Sequence, residues 1–205
     1  MLTPESIVGA LIEIVLPDCF NPYRDLDSLH DRLDAPALRR RNLLTYLQVM
    51  AQLGPSELWV AESGSHTGTR RSGLPLVPTT ELTGLNERFA TTGFAVPTRT
   101  SDRAGMTAAF VWQAALERPN LPLFWNAVMA HPHRAGQPYH NRSVRRTELT
   151  AYQPVLQNLL KLFSFTTVIA IGRVAERTLV DVGISCRYVR HPAQGGARAF
   201  REGVE

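Results

Sequence analysis

The chain has a single lysine, Lys161, in 205 residues, and only two cysteines, Cys19 and Cys186. Two cysteines so far apart cannot build a structural zinc site or an iron–sulfur cluster. Their scarcity reads as a reduced, intracellular chain, and a cytoplasmic location is the expectation. Long hydrophobic runs are missing as well: no segment approaches the ~18 apolar residues of a membrane span. The apolar N-terminal stretch MLTPESIVGALIEIVLPDCF carries Glu5 and Glu13 and no basic lead-in. It reads as an amphipathic helix with Thr3 capping and Pro4 in the first turn, not as a signal peptide. Nor does the chain contain a G-x-x-x-x-G-K-[ST] phosphate loop, a G-x-G-x-x-G dinucleotide turn or a G-x-S-x-G nucleophile elbow.

What is present is globular. Apolar residues make up 44% and charged residues 20%, which excludes disorder and coiled coil. The length suits one domain over residues 1–205, with residues 1–53 as an N-terminal helical part packed on it. Net charge is +4, and apart from Lys161 the 22 basic residues are arginines. Arginine forks match phosphate, so the balance leans toward nucleic acid or phosphorylated ligands.

Hydrophobic spacing predicts helices over Ser6–Leu16 and Ala37–Leu53, the second with Arg39-Arg40-Arg41 on its solvated side and Gly54-Pro55 as its stop. Further helices are predicted at Glu81–Phe89, Asp102–Leu116 (capped by Ser101), Thr147–Ser164, Arg173–Val182 and Ala197–Glu202. Strands are predicted at Glu57–Ala61, Leu121–Asn126, Phe165–Gly172 and Arg187–Val189, with a long polar loop after Asn126. Strands alternating with helices imply an α/β fold: three layers, α/β/α, around a central four-stranded parallel sheet. All strand ends then share one edge.

Three polar loops converge at that edge. The first, after Ala61, offers Glu62, Ser63 and a run of small residues whose N–H groups suit an anion. The second begins at Asn126 and later carries Asn141-Arg142. The third carries His191-Pro192. An acid, an amide and an imidazole on one rim of a basic protein suit base recognition and anion stabilisation. Each also has a plainer reading: Glu62 as a helix cap or a partner of Arg70, Asn126 as a loop brace, His191 as a surface residue. His131-Pro132-His133 has no carboxylate or cysteine nearby and reads as loop chemistry, so no metal is expected.

These motifs, in this order, resemble the uracil-DNA glycosylase superfamily. Ala61-Glu62-Ser63-Gly64-Ser65 stands where members carry their first motif, and Ser72-Gly73-Leu74-Pro75-Leu76 is similar to the Thr-Gly-x-Pro-Phe that follows it. Asn126-Ala127 through Asn141-Arg142 and Glu148 resembles the middle pattern. Ile171-Gly172 with Ala175 is similar to the third strand and its glycine turn. His191-Pro192-Ala193 with Gly195-Gly196 is similar to the final His-Pro-Ser motif. The likeness covers roughly Leu58 to Val204.

The resemblance implies a monofunctional glycosylase that needs no cofactor, acts as a monomer and flips uracil or a related deaminated base out of DNA. It assigns catalysis to Glu62, His191 and Ser63: a water placed at C1′ on one side, a donor to the departing base on the other. It assigns substrate binding to Asn126, Leu76, Ser65 and Gly64, and DNA contacts to Arg142, Arg190, Arg198 and Gln194. Departures from the pattern are concentrated in the first motif. Ser63 replaces the aspartate of the most active branch, Ser65 its thymine-blocking tyrosine, and Leu76 the phenylalanine that stacks on the base. The alternatives carried forward are a superfamily member that binds DNA or damaged bases without hydrolysis, and a small-molecule α/β enzyme.

Overall fold

The computed structural model describes residues 2–99 and 106–205. The chain begins with α1 (Pro4–Ile12), β1 (Cys19–Phe20), α2 (Ala35–Leu53), β2 (Glu57–Ser63) and the single-turn α3 (Thr69–Ser72). It continues with α4 (Leu82–Arg88), α5 (Met106–Leu116), β3 (Leu123–Val128), β4 (His131–Arg134) and β5 (Gln137–Asn141). It closes with α6 (Arg146–Leu162), β6 (Thr167–Ile171), α7 (Arg173–Asp181), β7 (Arg187–Val189) and α8 (Ala197–Val204). The predicted Ser101 cap and Asp102 helix start lie outside the described residues.

The main sheet has the order β3-β2-β6-β7 and is parallel throughout. Val60 stands opposite Trp125 on one side and Ala170 on the other. Alternate strand residues feed two cores. Leu58, Val60, Trp125, Val168 and Ala170 pack toward α1, α2, α6 and α7. Trp59, Ala61, Phe124, Ile169 and Val189 pack toward α5 and α8 through Val111 and Phe200. This is the three-layer α/β/α arrangement with a central four-stranded parallel sheet. Among the described residues no helix is long and apolar enough to cross a membrane.

Local signals set the helix ends. Thr3 caps α1 in a reciprocal box with Ser6, and Pro4 opens the first turn. The helix stops at Ile12, a turn earlier than its apolar spacing suggests. Gly54 ends α2 at φ 61°, its N–H returning to the Met50 carbonyl.

Two expectations fail here for physical reasons. Arg39 is not on a solvated face but fully buried. It shares a helical face with Leu43 and Tyr46, and its guanidinium pairs with the Asp31 carboxylate and donates to the Arg71 carbonyl at 3.1 Å. Arg40 donates to the Tyr23 carbonyl at 2.9 Å, which leaves Arg41 as the exposed member of the triplet. The polar loop after Asn126 is also more ordered than its composition implies. It folds into the β4–β5 hairpin, turned at Gly136 (φ 69°), which pairs with β1 in a second, antiparallel sheet. Its strands carry no apolar alternation, because buried polar bonds hold it rather than a hydrophobic face.

Candidate functional site

A cleft of about 750 Å3 opens outside the carboxyl ends of β2 and β6. The chain runs from β2 outward to β3 and then crosses β2 to reach β6, so this is the point where strand order reverses. Open α/β sheets bind ligands at that point. The cleft is lined by Glu62, Ser63, Asn126, Arg190 and His191, among others.

Glu62 and Ser63 are the last residues of β2, not loop residues, because the strand runs two positions further than its apolar segment. Glu62 neither caps the next helix nor pairs with Arg70. Its Oε1 accepts from the Val144 N–H at 3.0 Å, which tethers the segment entering α6. Arg70 pairs instead with Asp27 at 3.0 Å.

Three N–H groups of the loop after Ser63 are used within the protein. The Gly64 N–H donates to the carbonyls of Val128 and Ala130, His66 donates to Asn141 Oδ1, and Gly68 donates to the Ser65 hydroxyl. Gly64 is there for packing: a Cβ would lie 2.8 Å from the Ala130 carbonyl oxygen.

Asn126 lies inside β3, opposite Ala61, rather than at the strand's end. It is 1% exposed. Its Nδ2 donates to Thr69 Oγ1 at 3.0 Å, while its Oδ1 has no hydrogen-bond partner among the described residues. A buried amide oxygen without a donor is costly, roughly 1–3 kcal/mol, and marks a place a ligand can satisfy.

His191 Nδ1 accepts from the Ala193 N–H at 3.1 Å, so in the neutral ring the proton sits on Nε2. Burial lowers its pKa below the ordinary 6.5, which keeps the imidazole neutral at pH 7. Leu76, half-buried on the wall, adopts the left-handed conformation at φ 58°. Its carbonyl is held by the Trp112 indole at 2.9 Å. Non-glycine residues in this region cluster at functional sites.

The four expected DNA contacts separate. Arg190 and Gln194 are exposed on the cleft rim, Arg190 donating to the Gln194 carbonyl at 3.4 Å. The Arg142 guanidinium is committed inside the protein: two bonds to Glu148 at 3.0 and 2.5 Å, and others to the carbonyls of His133 and Asp18. Arg198 lies on α8, outside the cleft, paired with Glu202 at 2.7 Å beside a separate groove that contains Phe110. Arg142 thus lines the cleft with its guanidinium bonded to protein partners, and Arg198 lies outside the cleft.

Residues that sequence reasoning missed complete the wall. Thr69 braces Asn126. Arg173 stacks on Tyr188, its guanidinium carbon 3.8 Å from the ring centroid, and both line the cleft. Arg173 follows the Gly172 turn directly, which was the available signal.

Behind the cleft runs a buried polar chain. Asp27 accepts from Arg70 and from the Tyr139 hydroxyl, each at 3.0 Å. Arg70 lies 3.8 Å over the Phe20 ring and reaches His131 Nδ1 at 3.2 Å. Asn141 Oδ1 accepts the His66 N–H, so His131 Nε2 is the donor in its 2.9 Å contact with that oxygen and Nδ1 is the acceptor toward Arg70. Burial, followed by the Arg70 charge, pushes the His131 pKa down to about 3. Among the described residues no group of three or more His, Cys, Asp or Glu is placed to hold a metal ion.

No sequence-family model matches the chain, and no curated protein sequence matches it. Among solved structures, the chain is similar to wild-type SMUG2 from Pedobacter heparinus, with a TM-score of 0.60 and 12% identity. That likeness covers 100% of this chain and 94% of the SMUG2 chain, and it is a likeness of fold.

Proposed function

We propose that this protein is a monofunctional DNA glycosylase that flips uracil, or a related deaminated base, into the cleft and hydrolyses the bond between C1′ and the base. The observation that carries this reading is the pairing of two groups in one cleft: a buried acceptor at Asn126 Oδ1, without a partner among the described residues, and a neutral donor at His191 Nε2–H. Uracil offers a ring N–H to the first and a carbonyl oxygen, O2, to the second. The fold likeness to SMUG2, a uracil-DNA glycosylase superfamily member, supports the same reading.

The residues divide the work. The Asn126 amide reads the Watson–Crick edge, and a base that leaves its oxygen unpaired is rejected strongly. Leu76 covers the ring. Stretching the C1′–base bond places negative charge on the base and positive character on the sugar. His191 Nε2–H stabilises the leaving anion, an effect typically worth roughly 3–4 kcal/mol for one such donor. Glu62 and Ser63, at the end of β2, hold the water that adds to C1′. Arg190 with Gln194 meets the backbone of the strand.

The test is an oligonucleotide panel carrying uracil single-stranded, opposite adenine or opposite guanine, together with hypoxanthine and xanthine. The wild-type protein is expected to produce alkali-labile abasic sites. His191→Ala should lower the rate about 10²–10³-fold while keeping affinity for abasic DNA. No alkali-labile product on any substrate retires the proposal. The second reading, a protein that binds damaged bases without hydrolysis, draws on Glu62 Oε1 being tied to Val144. Retained affinity for uracil DNA without turnover would favour it.

A further inference from the structure

The Asn126 amide has two ends with opposite chemistry, and a half-turn about its terminal bond exchanges them. Which end faces the ligand decides what the pocket reads. Asn126 is 1% exposed, and among the described residues its one side-chain hydrogen bond runs from Nδ2 to Thr69 Oγ1 at 3.0 Å. Thr69 is itself 2% exposed. Its helical turn is anchored on both sides: the Thr69 carbonyl accepts the Gly73 N–H at 2.9 Å, and the adjacent Arg70 is paired with Asp27. The hydroxyl therefore sits at a defined point against the amide.

With Nδ2 on Thr69, the end presented to a ligand is Oδ1, which accepts and cannot donate. Deamination changes one feature of a base that such an atom can read. The ring nitrogen next to the amino-bearing carbon in cytosine and adenine has no hydrogen and is an acceptor. After deamination the same nitrogen carries a hydrogen beside a new carbonyl. An acceptor pairs with the deaminated form and opposes the parent. The reversed amide would do the opposite.

We infer that Thr69 is the positioning residue for base selectivity: its hydroxyl accepts from Asn126 Nδ2 and so turns Oδ1 toward the ligand, as an acceptor for the ring N–H of a deaminated base. The inference rests on the cleft being the base pocket proposed above. Thr69 acts through Asn126 and need not touch the base. Nothing in the local sequence marks it, because the partner lies 57 positions away.

Equilibrium binding of free uracil and free cytosine tests this without requiring hydrolysis. The wild-type protein is expected to prefer uracil. Thr69→Val, nearly the same shape without the hydroxyl, should lower uracil affinity about tenfold and bring the two bases toward equal binding. Thr69→Ser, which restores the hydroxyl, should keep the wild-type preference. An unchanged preference in Thr69→Val, an equal loss in Thr69→Ser, or no uracil preference in the wild type overturns the inference. Should Thr69→Val not fold, hydrogen exchange at the Asn126 side-chain amide of the wild type decides. Protection in the free protein supports the Thr69 bond, and fast exchange removes its basis. The outcomes separate the two proposals. Selective binding lost in Thr69→Val, with no cleavage of uracil DNA by the wild type, retires the glycosylase reading alone. Cleavage by a wild type whose base preference survives Thr69→Val retires this inference alone.

Discussion

The Arg70 guanidinium donates to the Asp27 carboxylate at 3.0 Å with both side chains buried. Through this pair the segment between β1 and α2 holds α3, the turn that carries Thr69 toward Asn126. The N-terminal part of the chain thereby reaches the wall of the cleft without lining it.

Removing one side of this pair should be far more damaging than replacing both. Asp27→Ala leaves a buried guanidinium uncompensated and is expected to lower stability by about 3–5 kcal/mol in urea unfolding. A double replacement, Asp27→Leu with Arg70→Met, should lose much less than the two single changes summed. Burial raises the Asp27 pKa, but the bonds from Arg70 and Tyr139 outweigh it and leave the value below the ordinary one. The pair's contribution is therefore complete at neutral pH and is lost as pH falls through that lowered value.

His131 imposes a second pH dependence, at milder acidity. Its folded pKa is about 3 against an ordinary 6.5, so between these values the unfolded chain binds a proton that the folded chain refuses. Stability should fall as pH drops through that window, with a slope approaching ~1.4 kcal/mol per pH unit from this residue alone. His131→Gln should be less stable at pH 7 and should show a shallower decline on acidification. An unchanged slope in denaturant titrations from pH 7 to pH 4 would contradict the assigned neutral state.

DNA affinity should separate the arginines by their salt dependence. Arg173 and Arg190 line the cleft and are exposed. Replacing either by alanine is expected to reduce the slope of log K against log salt by about 1. Arg142→Ala should leave that slope near the wild-type value and instead lower stability by about 3–5 kcal/mol, because Glu148 is left buried without its partner. A reduced salt slope in Arg142→Ala with unchanged stability would reverse the assignment.

Much of the scaffold was legible in local spacing. The run Thr167–Ile171 is apolar and β-branched, and the glycine after it ends the strand, so β6 needed no tertiary information. Thr3 with Pro4, and Gly54, did the same for helix ends. The parallel α/β plan follows from the alternation of such segments, because a parallel strand pair needs a crossover between its members. The convergence of Glu62, Asn126 and His191 at one sheet edge was also foreseeable, because right-handed crossovers put the ends of parallel strands on the same edge.

Polar partners could not be read this way. Arg39, Arg142 and Arg198 are the same residue type in similarly charged surroundings. One is buried against Asp31, one is locked on Glu148 and one lies on an exposed helix face. The β4–β5 hairpin has no apolar alternation to announce it, since Arg70, His131 and Asn141 hold it by directed bonds. Residue order and spacing determined the layers, the sheet and the edge at which chemistry gathers, because hydrophobic burial is periodic along the chain. Only the tertiary structure decided which polar atoms are satisfied by the protein and which, like Asn126 Oδ1, have no partner among the described residues. Hydrogen bonds are directional and short, and they join residues far apart in sequence.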